Sequence, residues 1–316
     1  MSIIFARGLA RTFRTRDREV TAVRGVDIDV EPGEIVGFLG PNGAGKTTTL
    51  RMLTTLLRPT SGTATVAGAD LLTDPVEVRR RIGYVAQSGG TDPNTRVGKE
   101  LVYQAEFYGA SRAEAVRRTG EVCSMLDLAE LTERQVKTLS GGQRRRMDIA
   151  LGLIHAPRLV FLDEPSVGLD PQSRSTLWEH IRRLRAEAAT TIFLTTHYLD
   201  EADALCDRIL VMDGGRIVAT DTPDGLKGRY AGDAVTFGVA GDAEFARVLL
   251  ADHPAVQESA VDETGLRLTV FDGARQLPEL MAVLNSAGMR VVSVQLARPT
   301  LDDVFLTLTQ PVKGTA

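Results

Sequence analysis

The feature that most constrains this chain is a glycine-rich loop set between two different hydrophobic periods. Ile35-Val36-Gly37-Phe38-Leu39 is a continuous apolar run, the pattern of a strand buried on both faces of a parallel sheet. It leads directly into Gly40-Pro41-Asn42-Gly43-Ala44-Gly45-Lys46-Thr47-Thr48. Leu50, Leu53, Leu56 and Leu57 then recur at helical spacing until Pro59 stops the pattern. Strand, loop and helix in that order call for an α/β fold, and the loop satisfies G-x-x-x-x-G-K-[ST]. In such a loop the glycines let successive backbone N–H groups point at phosphate oxygens. The helix adds its positive end. Lys46 would reach the β- and γ-phosphates of a nucleotide, and the Thr47 hydroxyl would bind Mg²⁺.

Two further segments narrow the reading. Leu139-Ser140-Gly141-Gly142-Gln143 opens a helix in which Met147, Ala150, Leu151 and Ile154 share a face. Ser140 is an N-cap residue, and two glycines behind it leave an uncovered helix N-terminus, an anion site. Leu159-Val160-Phe161-Leu162-Asp163-Glu164 is a buried strand ending in two acids. Carboxylates at the C-terminal edge of a parallel sheet face the ligand crevice. Asp163 would hold Mg²⁺, mostly through water, and Glu164 would act as general base toward the attacking water. Average residue usage puts a chance phosphate loop at roughly one chain in a hundred of this length, and a chance LSGGQ at roughly a few in ten thousand. The two together, in this order and with the acid pair downstream, are therefore a specific signal.

This combination resembles the ATP-binding subunit of an ABC transporter, over residues 3 to about 222. The resemblance implies ATP as substrate and a P-loop NTPase cassette, a mixed sheet with an inserted helical subdomain at about 90–138. It implies two nucleotides sandwiched between two subunits, each site closed by Ser140, Gly141, Gly142 and Gln143 of the other. Gln87 resembles the glutamine that contacts Mg²⁺ and senses the transmembrane partner. His197, after Thr195-Thr196, resembles the switch histidine on the γ-phosphate. Ser166-Val167-Gly168-Leu169-Asp170 resembles the loop through which subunits communicate, with Asp170 its key acid. Phe13 is the expected aromatic partner of adenine. A single cassette with intact motifs implies a homodimer.

Composition agrees with a globular chain that relies on a separate membrane component. No apolar run approaches the roughly 18 residues of a membrane span, and the start lacks a signal-peptide layout. A path across a membrane would come from another chain. The net charge is −4, and Arg144-Arg145-Arg146 lacks interleaved aromatics, so the run reads as a solvated helix face and no nucleic-acid partner is expected. Cys123 and Cys206 stand far apart with no metal-ligand spacing and read as buried thiols. Non-transport ABC ATPases of the repair or translation class typically carry two cassettes, zinc modules or coiled coils, none of which is visible here. A simple phosphate-loop kinase or GTPase would leave LSGGQ and Thr195-Thr196-His197 unexplained.

Residues 63 to 86 read as strand and turn, and the apolar positions of 90–138, Val116 among them, as helical stripes. Asp221-Thr222-Pro223-Asp224-Gly225 marks a boundary, dividing an ATP-binding domain, 1–224, from a C-terminal domain, 225–316. Beyond it the pattern is strand, helix, a hairpin turning at Glu263-Thr264-Gly265, helix, strand. That βαββαβ order predicts a small α+β ferredoxin-like domain. The tail, ending in Pro299-Thr300-Leu301-Asp302-Asp303-Val304-Phe305, resembles the C-terminal domain of daunorubicin-resistance-type ABC ATPases. This implies a separate ABC-2-type permease, export of a drug, antibiotic or lipid, and a peripheral place on the cytoplasmic face of the cell membrane. No polar cluster marks a pocket in the tail, so it is expected to serve dimerisation or regulation.

Overall fold

A computed structural model describes residues 2–14, 18–262 and 265–309. The chain divides into two compact units, Met1–Thr220 and Asp221–Ala316. The first unit opens with β1 (Ile4–Arg14) and β2 (Glu19–Val30), followed by β3 (Ile35–Leu39) and α1 (Lys46–Leu53). Next come β4 (Ser61–Val66), β5 (Ala69–Asp70), α2 (Pro75–Arg81) and β6 (Ile82–Val85). A helical stretch follows, α3 (Val97–Phe107) and α4 (Arg112–Met125) with two 3₁₀ turns, and leads into α5 (Gly141–Leu153). The unit is completed by β7 (Leu159–Asp163), α6 (Pro171–Ala188), β8 (Thr191–Thr196), α7 (Leu199–Leu205), β9 (Arg208–Asp213) and β10 (Arg216–Asp221).

Two sheets organise this unit. One is four-stranded, in the order β2-β1-β4-β5; the other is six-stranded, β10-β9-β3-β8-β7-β6. In the second sheet β3 pairs in parallel with both β8 and β9, β8 with β7, and β7 with β6. Every residue of β3, β7 and β8 is buried, which is why these strands read as unbroken apolar runs rather than alternating ones. Phe38, Phe193 and Phe161 sit on neighbouring strands with ring centroids 5.6 Å apart in each pair. Such aromatic contacts add roughly 0.5–1.5 kcal/mol beyond area burial, and these hold together the three strands whose ends carry the site.

The structure differs from the sequence reading in several local places. The apolar residues at 3–5, 20–23 and 26–30 read in the sequence as short separate strands, but they belong to two long ones, because register shifts around Gly8 (φ 57°) let β1 bend and continue. Helix α2 lies where only strand and turn are expected. It buries a single side chain, Val78, too little for a periodic signal, although Pro75 at its first turn is a favoured helix start. On α4 the buried stripe is Ala115, Thr119 and Cys123, and Val116 is 54% exposed. Both cysteines are free and buried.

The second unit comprises α8 (Pro223–Tyr230), β11 (Asp233–Ala240), α9 (Ala243–Ala251), β12 (Val256–Asp262), β13 (Gly265–Val270), α10 (Gly273–Ser286), β14 (Arg290–Ala297) and α11 (Leu301–Thr309). Its antiparallel sheet has the order β12-β13-β11-β14, the ferredoxin-like arrangement expected from βαββαβ. Glu263 and Thr264 of the expected hairpin turn lie outside the described residues. Val235 and Phe237 of β11 alternate inward, as do Leu266, Leu268 and Val270 of β13. They meet Ala246 and Leu250 of α9 and Leu280 and Leu284 of α10 in one apolar core. Helix α11 packs back on α8. Phe237 is fully buried, so Phe237→Ala is expected to cost about 3–5 kcal/mol. Calorimetry should show a lower transition for the second unit and an unmoved one for the first.

Candidate functional site

Parallel pairing brings four distant loops to one edge. In the register of the large sheet Leu39 stands opposite Thr196, Asp163 opposite Thr195, and Val85 opposite Leu162. Gly40, His197, Glu164 and Gln87 therefore all leave the sheet past the C-terminal ends of adjacent strands. This is where ligands bind in open α/β sheets.

The glycine loop joins β3 to α1. A Cβ on Gly40 would lie 2.2 Å from the Met212 carbonyl oxygen, and one on Gly45 (φ 110°) 2.5 Å from that of Ala22. Neither position admits a side chain without moving backbone. Lys46 is 5% exposed, and its Nζ donates to the carbonyls of Gly40 (2.6 Å) and Pro41 (3.1 Å). Burial pulls its ammonium below the usual lysine range, while the nearby Glu164 and Asp163 carboxylates oppose that pull. Thr47 and Thr48 are partly exposed on the first turn of α1. Asn42 and Gly43 are exposed at the loop tip, and Ala44 is buried beneath it.

At the end of β7, Asp163 is buried and its Oδ1 accepts the Thr195 hydroxyl at 2.7 Å. The next residue turns sharply: Glu164 has φ 45°, a conformation that L-residues adopt at a cost and that clusters at functional sites. Its N–H is held by both the carbonyl and the hydroxyl oxygen of Thr195, at 3.1 Å each. The carboxylate is then clasped from two sides. Gln87 Nε2 donates to Oε2 at 3.0 Å, and His197 Nδ1 lies 3.3 Å from Oε1. The sequence spreads these three side chains over more than a hundred positions; the sheet edge brings them together.

Ser140 caps α5 through a reciprocal pair. Its hydroxyl accepts the Gln143 N–H at 3.2 Å, and Gln143 Oε1 accepts the Ser140 N–H at 3.0 Å, a capping box. A Cβ on Gly141 would meet nothing within 4 Å, whereas one on Gly142 would lie 2.8 Å from Ser173 Oγ. Asp170 caps α6 by accepting from the Ser173 N–H (2.9 Å) and hydroxyl (2.6 Å). These bonds hold its carboxyl below the usual range. The Ser140–Gln143 turn and the Asp170 cap are thus neighbours. Phe13 is 38% exposed with the Arg11 guanidinium 4.7 Å above its ring. It pairs with Val20 of β2, the strand whose Ala22 carbonyl abuts Gly45.

The match to known proteins follows this geometry. Residues 23–167 match the ABC transporter family, and residues 222–309 match the DrrA1-3-like ATP-binding protein C-terminal domain. The daunorubicin resistance ATP-binding protein DrrA2 of Streptomyces coeruleorubidus is 44% identical over 95% of this chain and 94% of its own length. The chain belongs to the daunorubicin-resistance type of ABC transporter ATP-binding subunit. The daunorubicin/doxorubicin resistance ATP-binding protein DrrA of Streptomyces peucetius is 42% identical over 91% of this chain and 88% of its own. The solved ATP-binding cassette MJ0796, dimeric with ADP and phosphate, has the same fold: TM-score 0.63 and 24% identity, over 69% of this chain and 98% of that one. The chain is accordingly the ATP-binding, ATP-hydrolysing subunit of an ABC exporter. Subunits of this kind dimerise and work with a permease. Among the described residues no helix is long and apolar enough to cross a membrane.

Two buried charges in this ABC subunit escape sequence reasoning. The run Arg144-Arg145-Arg146 is not a solvated face. Arg144 is bonded to the Thr91 hydroxyl, Arg146 reaches the Leu126 carbonyl at 3.3 Å, and Arg145 is 6% exposed, its guanidinium turned inward. Glu201 of α7 is fully buried. Its Oε1 accepts from the Ser166 hydroxyl and, at 3.1 Å, from Trp178 Nε1, which also lies 3.2 Å from Ser166 Oγ. The only hint in the sequence is an acid four positions after His197 in an otherwise helical stretch.

Burial raises the Glu201 carboxyl above its ordinary value of 4.5, against the lowering effect of its hydrogen bonds. A raised carboxyl pKa means that the folded state holds the proton more tightly than the unfolded chain. Stability therefore falls as pH rises from about 4.5 through the raised value. Glu201→Gln cannot ionise and escapes this loss. Its unfolding temperature relative to the parent should rise in thermal melts as pH increases from about 4.5 through the raised value and then level off; a difference that stays constant with pH would mean that Glu201 does not titrate differently in the folded state.

Proposed function

We propose that the strand-end site binds ATP with magnesium and that Glu164 takes the proton of the water attacking the γ-phosphorus in line, with ADP as leaving group. The observation that carries this reading is the Glu164 carboxylate, held between Gln87 and His197 next to the glycine loop. A base must sit where its proton acceptor is aimed before substrate arrives, and positioning and electrostatics supply most of the catalysis. Lys46 exchanges the Gly40 and Pro41 carbonyls for β- and γ-phosphate oxygens, which stabilise an ammonium that burial alone disfavours. The backbone of residues 40–48 cradles the phosphates. His197 donates to the γ-phosphate and keeps Glu164 oriented.

Asp163, Thr47 and Gln87 offer a carboxylate, a hydroxyl and an amide oxygen, the hard donors that magnesium takes. Among the described residues no group of three or more His, Cys, Asp and Glu could hold a metal alone. That suits an ion which draws its remaining ligands from phosphate and water. Bound there, magnesium neutralises charge on the phosphate oxygens.

Phe13 stacks on adenine. Ser140, Gly141, Gly142 and Gln143 close over the ATP of the second copy in a homodimer, and Asp170, beside them, links the two sites. Residues 1–224 form the ATP-binding domain, with the helical segment 90–138 toward the membrane. Residues 225–316, with a core of their own, serve dimerisation or regulation. The subunit works peripherally on the cytoplasmic face of the membrane with an ABC-2-type permease and takes a drug, antibiotic or lipid as cargo; the relatives' names, which specify daunorubicin and doxorubicin resistance, support the first of these.

Tagged Glu164→Gln, recovered from its native membranes with ATP, is expected to be a dimer that holds nucleotide, turns over at least a hundredfold more slowly and brings a multi-span permease with it. Recovery of soluble partners alone, or a monomer at saturating ATP, would count against the reading. Lys46→Ala should lose nucleotide binding or turnover in an equilibrium titration and a phosphate-release assay.

A further inference from the structure

We propose that Arg145 is a positioning residue for hydrolysis, tying the helix that begins at Ser140 to the backbone on both sides of Glu164 and to the segment carrying Gln87. The proposal rests on the roles assigned above to Glu164 and Gln87. Arg145 projects from the second turn of α5 into the protein. Its Nε donates to the Pro165 carbonyl at 2.9 Å and its Nη2 to the Asp163 carbonyl at 2.9 Å. Its Nη1 donates to the Ala86 carbonyl at 2.6 Å, with the Gln87 carbonyl at 3.5 Å. Asp163 and Pro165 are the residues before and after Glu164. One guanidinium thus fixes the peptides flanking the proposed base and the strand exit that bears its amide partner.

The chemistry explains why an arginine stands here. Past the ends of β6 and β7 the backbone carbonyls leave the sheet ladder and still need donors. A planar fork of five N–H groups can serve three carbonyls in fixed directions at once. The Glu164 turn is then held on its N–H side by Thr195 and on its carbonyl side by Arg145. Because Arg145 lies five residues after Ser140, a displacement of the Ser140–Gln143 turn is carried by α5 to the Glu164 peptide.

A positioning role predicts a split between turnover and binding. Arg145→Lys keeps the charge but puts three donors on one flexible point. It is expected to lower kcat at least tenfold while leaving KM for ATP, and the Kd of a fluorescent ATP analogue, within twofold of the parent. Arg144→Lys, one position earlier on the same helix, should retain the parent kcat. Arg145→Gln, whose amide can serve two carbonyls, provides the second variant and should again lower kcat with KM kept. Unchanged kcat in both variants overturns the proposal, as does a parallel loss of binding and turnover in both, which would make Arg145 a fold residue only. Glu164→Gln run alongside separates the two readings. If it hydrolyses at the parent rate, the proposed site itself fails; if it is inactive while Arg145→Lys turns over normally, only the role of Arg145 fails.

Discussion

Parallel hydrogen bonding among β6, β7, β8 and β3 is the constraint on which the site depends. A parallel pair cannot be closed by a tight turn; it needs a crossover of a dozen residues or more. Side chains that converge must therefore lie far apart in sequence, as Lys46, Gln87, Glu164 and His197 do. The register also decides which way they point. A slip of one residue would turn every side chain of a strand to the opposite face, and it would move Asp163 away from the Thr195 hydroxyl that holds it. The three phenylalanines below the edge resist that slip, because their rings interlock across the same three strands.

The edge itself concentrates buried charge. Lys46, Asp163, Arg145 and Glu201 are each buried, although such groups prefer water by a wide margin. None is left bare. Lys46 is met by two carbonyls, Asp163 by a hydroxyl, Arg145 by backbone oxygens and Glu201 by a hydroxyl and an indole. Neutral dipoles, rather than opposite charges, supply most of these contacts. A site built this way keeps its charges in place without cancelling them, which is what a loop required to attract phosphate needs.

How much of this was legible in the sequence follows from what each feature writes into it. The β3–loop–α1 unit is plain because burial on both faces, a glycine code and helical spacing follow one another within 25 residues. The ferredoxin-like order of the second unit is plain for the same reason: strands and helices change period cleanly between Val235 and Leu296. Bulged strands are less so, since the shifts near Gly8 break the alternation that would mark β1 as one element. Helix α2 is silent because one buried valine makes no period. Arg145 misleads outright. Three adjacent arginines look like a solvated face, and the partners that draw the middle one inward are carbonyl oxygens, which every residue type carries.

The chain contains one tryptophan, and the fold places it against the hydroxyl of Ser166 and the carboxyl of Glu201. Ser166 lies in the short stretch between Glu164 and Asp170. Indole emission shifts with the polarity and hydrogen bonding around the ring nitrogen, and here it comes from a single location. The protein therefore carries its own optical label, Trp178 of α6, against the segment joining the clasped carboxylate to the α6 cap, with no dye or added residue to perturb it.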